Sequence, residues 1–291
     1  MDKKMILKSI GGFYYVKTAD GVIECKAKGK FRNMSLSPVA GDFVDTEFDG
    51  STNVISHIYE RKNKFLRPPF ANLDLLVMVV SVVDPAPNFL VIDKMCAIAR
   101  HKNVDVAIVI TKTDLAEFEN VASIYKNAGY EVFFTGENDG AELARLHEFM
   151  QGKTVAFSGN SGAGKSTLLN KLFPHLRLAT GETSKKLGRG KHTTRAVTIY
   201  EVDGCMVADT PGFSSVELDY DNFISKDELP YAFIEFRDYL GDCKFSDCAH
   251  IGEKGCAVCR AVADGKIGRT RYDSYCALYE RQKNIKEWDI K

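Results

Sequence analysis

The stretch that most constrains this chain is residues 157–167, F-S-G-N-S-G-A-G-K-S-T. It follows a short apolar run at 154–157 and precedes the helix-favouring Leu168, Leu169, Asn170, Lys171 and Leu172. Strand, loop and helix therefore come in the order that a phosphate cradle requires. Gly159, Gly162 and Gly164 admit backbone dihedrals closed to other residues, so the N–H groups of Gly159-Asn160-Ser161-Gly162-Ala163-Gly164 can turn inward around a β-phosphate at a helix N-terminus. Lys165 is then the catalytic point charge on the β- and γ-phosphates, Ser166 offers its hydroxyl to Mg2+, and Thr167 completes the set. A glycine-rich turn with no ligand is the alternative. The full G-x-x-x-x-G-K-S spacing argues against it.

A chain of 291 residues has the length of two domains, or of three small ones, and an apolar content of 45% is enough to bury a core. Lys and Arg number 39 and Asp and Glu number 39, so any contact with nucleic acid must come from local basic patches and not from a global field. The sequence starts without the long apolar run of a signal peptide and holds no stretch of transmembrane length, which leads to the expectation of a cytoplasmic protein with no membrane partner. Of the eight cysteines, four crowd into residues 243–259, while Cys25, Cys96 and Cys205 stand in apolar or strand-like surroundings. In a reducing compartment the clustered ones read as metal ligands and the scattered ones as small buried hydrophobes.

In chain order, residues 5–10, 13–18 and 22–27 are short β-like runs, with an Asp20-Gly21 turn that favours a tight hairpin. Pro38-Val39-Ala40-Gly41-Asp42 starts another strand and 53–59 a further one, around five strands without helices, which suits a small barrel of the OB type over residues 1–65. Lys17, Lys26, Lys28, Lys30 and Arg32 interleave with Phe13, Tyr14, Tyr15 and Phe31. This mixture of charge and stacking rings is used on RNA, and a solvated lysine face over an aromatic core is an equal alternative. Residues 61–64 and Arg67-Pro68-Pro69 look like a linker. Beyond it strand and helix patterns alternate: 73–83, 88–101, 104–110, 115–128, 130–134 and 141–150. The expectation for residues 66–215 is a mostly parallel, doubly wound α/β sheet.

At the end of the second strand stands Thr111-Lys112-Thr113-Asp114. A carboxylate there can accept from guanine N1–H and the exocyclic amine while the lysine stem lies along the base. The alternative is a polar turn with Asp114 capping a helix that starts at Leu115. After the phosphate loop, residues 187–195 (L-G-R-G-K-H-T-T-R) form a long polar loop, and a hairpin at 197–208 runs into Asp209-Thr210-Pro211-Gly212. Asp209 is expected to hold Mg2+ through water, the Gly212 N–H to meet the γ-phosphate, and Thr193 or Thr194 to complete the metal's shell. From residue 221 onward charged and aromatic residues alternate at helical spacing, and Cys243, Cys248, His250 and Cys256 then suit one structural Zn2+ per chain, with Cys259 as a competing ligand. Residues 216–291 are thus a mainly helical zinc-binding domain. It closes on a basic amphipathic helix at 269–288 that either packs on the metal module or lies on RNA.

The base-selecting tetrapeptide precedes the phosphate loop, the reverse of the usual order among GTPases, and a nucleotide site is defined in space, so the chain reads as a circular permutation of a GTPase domain. An ATPase on the same cradle, or a nucleotide-regulated RNA-binding module, are the other readings. P-V-A-G-D, R-P-P-F-A-N-L-D at 67–74, T-K-T-D, G-N-S-G-A-G-K-S-T, G-R-G-K-H-T-T, D-T-P-G-F and C-x4-C-x-H-x5-C together resemble the small ribosomal subunit biogenesis GTPase A family of bacterial circularly permuted GTPases, over essentially the whole length. The resemblance implies an OB barrel, a permuted GTPase domain and a zinc module. It implies GTP/GDP, Mg2+ and Zn2+ as cofactors, and the small ribosomal subunit with its 16S rRNA as partner in late maturation. It also implies GTP hydrolysis stimulated by that subunit. DNA is not an expected partner, and nothing requires more than a monomer. The sequence departs from the family at Thr111, where an asparagine is usual. Phe213 stands where many GTPases place a water-orienting glutamine, so His192 is the candidate catalytic replacement, with a surface histidine acting through loop shape as the alternative.

Overall fold

The computed structural model describes residues 3–33, 36–66, 68–174, 197–209 and 222–285. Alternating inward and outward side chains build five strands: β1 (Lys4–Ile10), β2 (Phe13–Thr18), β3 (Gly21–Ala27), β4 (Phe43–Phe48) and β5 (Asn53–Ile58). They bond in the order β1-β2-β3-β5-β4, and Lys4↔Val44 and Met5↔Phe43 bring β4 back to β1, closing a barrel. Ile6, Val16, Cys25, Phe31, Val44, Ile55 and Ile58 fill its interior. The barrel is not free of helix. A single turn, α1 (Lys30–Asn33), points Phe31 inward to 4% exposure, because so small a barrel must be filled by side chains. That takes Phe31 out of the rings offered to RNA.

The expected linker is instead a fastening. β6 (Lys64–Leu66) and β7 (Pro69–Ala71) pair antiparallel, with Pro69 opening its short strand, where a missing N–H is tolerated, and with Phe65 and Phe70 buried. The P-V-A-G-D segment straps the barrel to this hairpin. Buried Asp42 accepts from Arg61 Nε at 2.6 Å and from its second nitrogen at 2.7 Å, Ala71 N donates to Ala40 O at 2.9 Å, and Asn72 Nδ2 donates to Gly41 O at 2.8 Å.

The apolar runs beyond the strap become β8 (Leu75–Ser81), β9 (Asp105–Thr111), β10 (Glu131–Thr135) and β11 (Thr154–Ser158), joined by α2 (Phe89–His101), α3 (Glu119–Asn127) and α4 (Gly140–Met150). After β11 come α5 (Lys165–Leu172) and the hairpin β12 (Thr198–Val202) and β13 (Cys205–Asp209). The order is β10-β9-β8-β11-β13-β12, parallel throughout except β12 against β13. Every residue of β8 and β11 is buried, as central parallel strands covered on both faces must be. Lys8↔Thr198 then joins β1 to β12, and the Lys17–Glu201 ion pair at 2.6 Å crosses the same seam.

The C-terminal part is α6 (Leu229–Ala232), a 3-10 turn (Ile234–Tyr239), α7 (Ala257–Ala263) and α8 (Arg269–Gln282). α8 stops at Gln282, short of the expected 288, and Trp288 lies outside the described residues. It buries Tyr272, Tyr275 and Leu278 and so packs against the protein. One apolar cluster runs from Met95 and Ile98 of α2 into Phe233, Phe236, Tyr275 and Leu278. Among the described residues no helix is long and apolar enough to cross a membrane.

Candidate nucleotide site and metal centre

β11 and α5 present the phosphate loop at the carboxyl edge of the sheet. A Cβ on Gly159 would stand 2.2 Å from Val79 O, so only glycine lets the loop leave the sheet there, and Gly162 and Gly164 hold φ values of 83° and 93°. Ala163 N donates back to Asn160 O at 3.1 Å. The Lys165 ammonium folds onto the carbonyls of Gly159, at 2.5 Å, and Asn160, at 2.9 Å, and its partial burial lowers its pKa. The loop's cation is thus already turned onto its own backbone, where a phosphate could replace those carbonyls as the ammonium's partner. The pairing Ala156↔Ala208 brings Asp209, exposed at the end of β13, level with the strand that enters the loop.

Across the neighbouring strands, Ser81, Thr111 and Thr135 stand in one register row, three hydroxyls at the point where the buried apolar runs end. Thr111 Oγ1 donates to Ala163 O of the phosphate loop at 2.7 Å. Lys112 takes φ 62° and donates to Asp84 O. Asp114 does not cap a helix: α3 begins only at Glu119, with Phe118 as its N-cap residue, because Leu115 N closes a turn back to Lys112 O at 3.0 Å. The carboxylate is therefore left at the sheet edge, beside a residue that sequence reasoning missed. A Cβ on Gly136 would meet Asp114 Oδ1 at 2.6 Å and Thr113 Oγ1 at 2.9 Å, so glycine is what lets the β10 end close on the Thr113-Asp114 turn. Lys171 of α5 was also missed, and it ties the same turn down by donating to Gly136 O at 2.9 Å and Asp139 Oδ2 at 2.7 Å. The available signal was a Thr-Gly at the end of a buried strand, level with Thr111. His192, Thr193, Thr194, Gly212 and Phe213 lie outside the described residues.

The barrel's basic residues are partly engaged: Lys17 by Glu201, and Lys28 by Glu47. Phe13 is exposed, with Lys26 Nζ 5.6 Å from its ring centre, and the Arg32 side chain is outside what is described. A cleft of ≈ 1000 Å3 between barrel and sheet, lined by Lys4, Lys17, Lys62 and Asp74, lies at the amino ends of the strands, away from the phosphate loop.

Cys243, Cys248, His250 and Cys256 bring their ligand atoms within 4.8 Å of one another. His250 Nδ1 is 3.4 Å from the Sγ atoms of both Cys243 and Cys256, which are 3.9 Å apart. Zn–S bonds of about 2.3 Å and Zn–N bonds of about 2.0 Å in a tetrahedron require edges of about 3.8 Å between sulfurs and about 3.5 Å from sulfur to nitrogen, so the donor set fits Zn2+. Ala257 N and Cys259 N donate to Cys243 Sγ and Cys256 Sγ at 3.3 and 3.4 Å, which favours the thiolate form needed by a metal. Burial raises the pKa of the Cys256 thiol, an effect that a divalent cation would reverse. Glu253 accepts from Ala249 N and Ile251 N, both at 2.8 Å, and Tyr275 OH donates to Ala249 O at 2.6 Å, holding the ligand loop in shape. Cys259 stands outside the group, its Sγ 3.3 Å from Tyr272 OH.

Residues 58–219 match the model of the RsgA GTPase family and residues 4–55 that of the RsgA N-terminal domain. A protein of Alkaliphilus metalliredigens named small ribosomal subunit biogenesis GTPase RsgA is 42% identical over 293 residues, covering 98% of this chain and 99% of its own. One of the same name from Clostridium beijerinckii is 42% identical over 286 residues, covering 96% and 98%. Among solved structures, YloQ, described as a circularly permuted GTPase, superposes with a TM-score of 0.79 at 34% identity over 98% of this chain and 96% of its own. YjeQ from Thermotoga maritima gives 0.81 at 30% over 98% and 99%.

Proposed function

The chain belongs to the RsgA GTPase family, and from that premise we propose that it binds GTP at the carboxyl edge of its parallel sheet, hydrolyses it, and acts on the small ribosomal subunit during biogenesis. The observation that carries the reading is spatial. T-K-T-D comes early in the chain and the phosphate loop late, yet Thr111 Oγ1 lies 2.7 Å from Ala163 O, so both face one site.

In this reading Asp114 accepts from guanine N1–H and its 2-amino group, and the Lys112 stem lies along the base. The backbone at Gly136 closes the third side. The loop amides from Gly159 to Thr167 wrap the phosphates, and Lys165 leaves its loop carbonyls for them. Ser166 and Asp209 would hold Mg2+, which neutralises phosphate charge. Thr193 or Thr194 and the Gly212 N–H sense the γ-phosphate, and His192 orients the attacking water in the subunit-bound protein. With His192→Ala, subunit-stimulated turnover should fall at least about tenfold while GDP affinity stays unchanged. Retained turnover removes His192 from the mechanism.

The names of the relatives support a small-subunit partner, and the exposed Phe13 with Lys26 supports contact between the barrel and 16S rRNA by a monomeric, cytoplasmic protein. GTP favours the subunit-binding arrangement and GDP the releasing one. The decisive experiment is GTP hydrolysis by purified protein titrated with small ribosomal subunits. Turnover should rise saturably with subunit, and a flat titration overturns the proposal.

A further inference from the structure

We propose that Cys256 and Cys259 form a peroxide-reactive dithiol, in which oxidation by a hydroperoxide closes a disulfide and takes the Cys256 sulfur away from the metal centre. The proposal goes beyond GTP hydrolysis and rests on the Zn2+ reading of the Cys/His cluster. It gives a role to Cys259, the cysteine of residues 243–259 that stands outside the donor set.

Cys256 is the N-cap residue of α7 and Cys259 lies in its first turn, the C-x-x-C spacing of dithiol redox centres. Helical rise and radius put Cα atoms three positions apart about 5 Å from each other, inside the range of about 4.4–6.8 Å that a disulfide spans. The two side chains already meet. Cys259 N donates to Cys256 Sγ at 3.4 Å, which folds the Cys256 side chain back over the turn, and the two thiols share a side-chain hydrogen bond. Cys259 Sγ is held on the ligand loop by donating to His250 O at 3.9 Å, with Tyr272 OH 3.3 Å away. Exposure separates the roles. Cys25, Cys96 and Cys205 are fully buried and Cys256 is 4% exposed, whereas Cys259 is half-buried, so an oxidant arriving from solvent meets Cys259 first. Cys276 of α8 is also half-buried and bonds Tyr272 OH, which makes it the rival partner for Cys259.

In the first step the Cys259 sulfur attacks a hydroperoxide. An S–O bond forms, the O–O bond breaks, an alcohol or water leaves with the thiol proton, and Cys259 becomes a sulfenic acid. The Cys256 sulfur then attacks the Cys259 sulfur. An S–S bond forms, the S–O bond breaks, and the departing hydroxide takes a proton to become water. The two sulfurs lose two electrons and the peroxide gains them. A sulfur in a disulfide carries no thiolate charge to offer a cation, so Cys243, Cys248 and His250 remain as a donor set one short of a closed tetrahedron. Reduction by an external thiol restores the fourth donor.

The test treats the full, zinc-loaded chain with excess hydrogen peroxide and follows zinc release with a chromogenic chelator, while peptide mapping under non-reducing conditions locates the disulfide. It compares wild type, Cys259→Ser and Cys276→Ser. Before oxidation all of them should hold one zinc per chain. Wild type and Cys276→Ser should release it as a Cys256–Cys259 disulfide forms, and dithiothreitol with added zinc should restore the site. Cys259→Ser should release zinc at least about tenfold more slowly, because the buried ligand sulfur then has no oxidised neighbour held against it. Equal release by Cys259→Ser, slowed release by Cys276→Ser, zinc retained by oxidised wild type, or a disulfide mapped to any other pair overturns the proposal while leaving the metal centre standing. Cys259→Ser that binds no zinc would make Cys259 a ligand, which also overturns it. Wild type that purifies under reducing conditions without zinc overturns the metal reading and the dithiol together.

Discussion

Gly41 shows how much one residue can decide. It sits at φ 87°, and a Cβ there would come within 2.0 Å of Ala71 O, a backbone atom with little room to yield. Gly41→Ala should therefore cost about 2–4 kcal/mol, from strain at positive φ plus loss of the close approach that fastens barrel to hairpin. Thermal unfolding of the full chain checks this, and an unchanged midpoint would mean that the strap is not under tension. Asp114 decides by charge and donor pattern. Asp114→Asn offers an amide where guanine needs two acceptor lone pairs, and leaves the base's own donors unpaired. GTP affinity should fall about a hundredfold or more, and xanthosine triphosphate, which carries an oxygen in place of the 2-amino group, should bind better than GTP. Competition between the two nucleotides reads the exchange, and equal affinities in wild type and variant would remove Asp114 from base recognition.

At the scale of elements, legibility followed periodicity. Apart from β4, which starts at Phe43 and not at Pro38 because the segment before it straps the barrel to the hairpin, the barrel strands and the buried strands β8 to β11 stand within about two residues of their sequence-based ranges, since alternation and continuous apolar runs report burial directly. Two further elements were misread, each where a local rule met a tertiary partner. Pro68-Pro69 reads as a linker, but the asparagines at 63 and 72 hydrogen-bond the flanking backbone and turn it into a hairpin. The helical pattern from Leu115 starts four residues early, because that turn is pinned to the base side and leaves Leu115 exposed. Lys28, Lys30 and Phe31, between β3 and β4, fit either an RNA face or a lysine face over an aromatic core, and α1 places the Phe31 ring in the core. In the site, motif residues were legible because phosphate and base chemistry fix their spacing. Gly136 and Lys171 were not, because their role comes from standing beside Asp114 and Asp139 in space. The Cys/His cluster was legible from ligand spacing alone, and it carries a prediction. Protein purified under reducing conditions should hold one zinc per chain, released by thiol modification. Cys243→Ser should lose the metal and make residues 243–259 sensitive to protease, because few apolar residues hold that segment otherwise. Full protease resistance of the metal-free protein would show a loop that stands without its ion.

At the scale of the whole molecule the question is whether the GTPase sheet and the helices around the Cys/His cluster are one cooperative body. Arg271 of α8 answers it. Its side chain is 1% exposed and meets Asp93 of α2 at 2.7 Å, Glu235 of the 3-10 turn at 2.6 and 3.0 Å, and Tyr130 OH at 3.3 Å, framed by the rings of Tyr125, Tyr130 and Phe233. No pattern in the sequence announces this, since Asp93 and Arg271 are 178 positions apart. Asp93 lies one residue beyond Ile92, and Ile92, Val91 and Asn88 border the phosphate loop at Gly159, Asn160 and Ala163. The triad thus joins the helix behind the phosphate loop to the helix beside the Cys/His cluster. Its net contribution to stability is modest, because taking three charges out of water costs much of what their attraction returns. Removing the cation alone is another matter, for it leaves two carboxylates facing each other in an apolar shell. Arg271→Ala should cost about 3–5 kcal/mol, whereas Arg271→Met combined with Asp93→Leu and Glu235→Leu should recover most of it, with no buried charge left to desolvate. Because the apolar cluster is shared, zinc release and loss of sheet structure should coincide along a denaturant series in all three proteins. Zinc release at clearly lower denaturant than sheet unfolding in the wild type would mean two bodies that merely touch, and a movement at the nucleotide would then have no rigid route to the metal end.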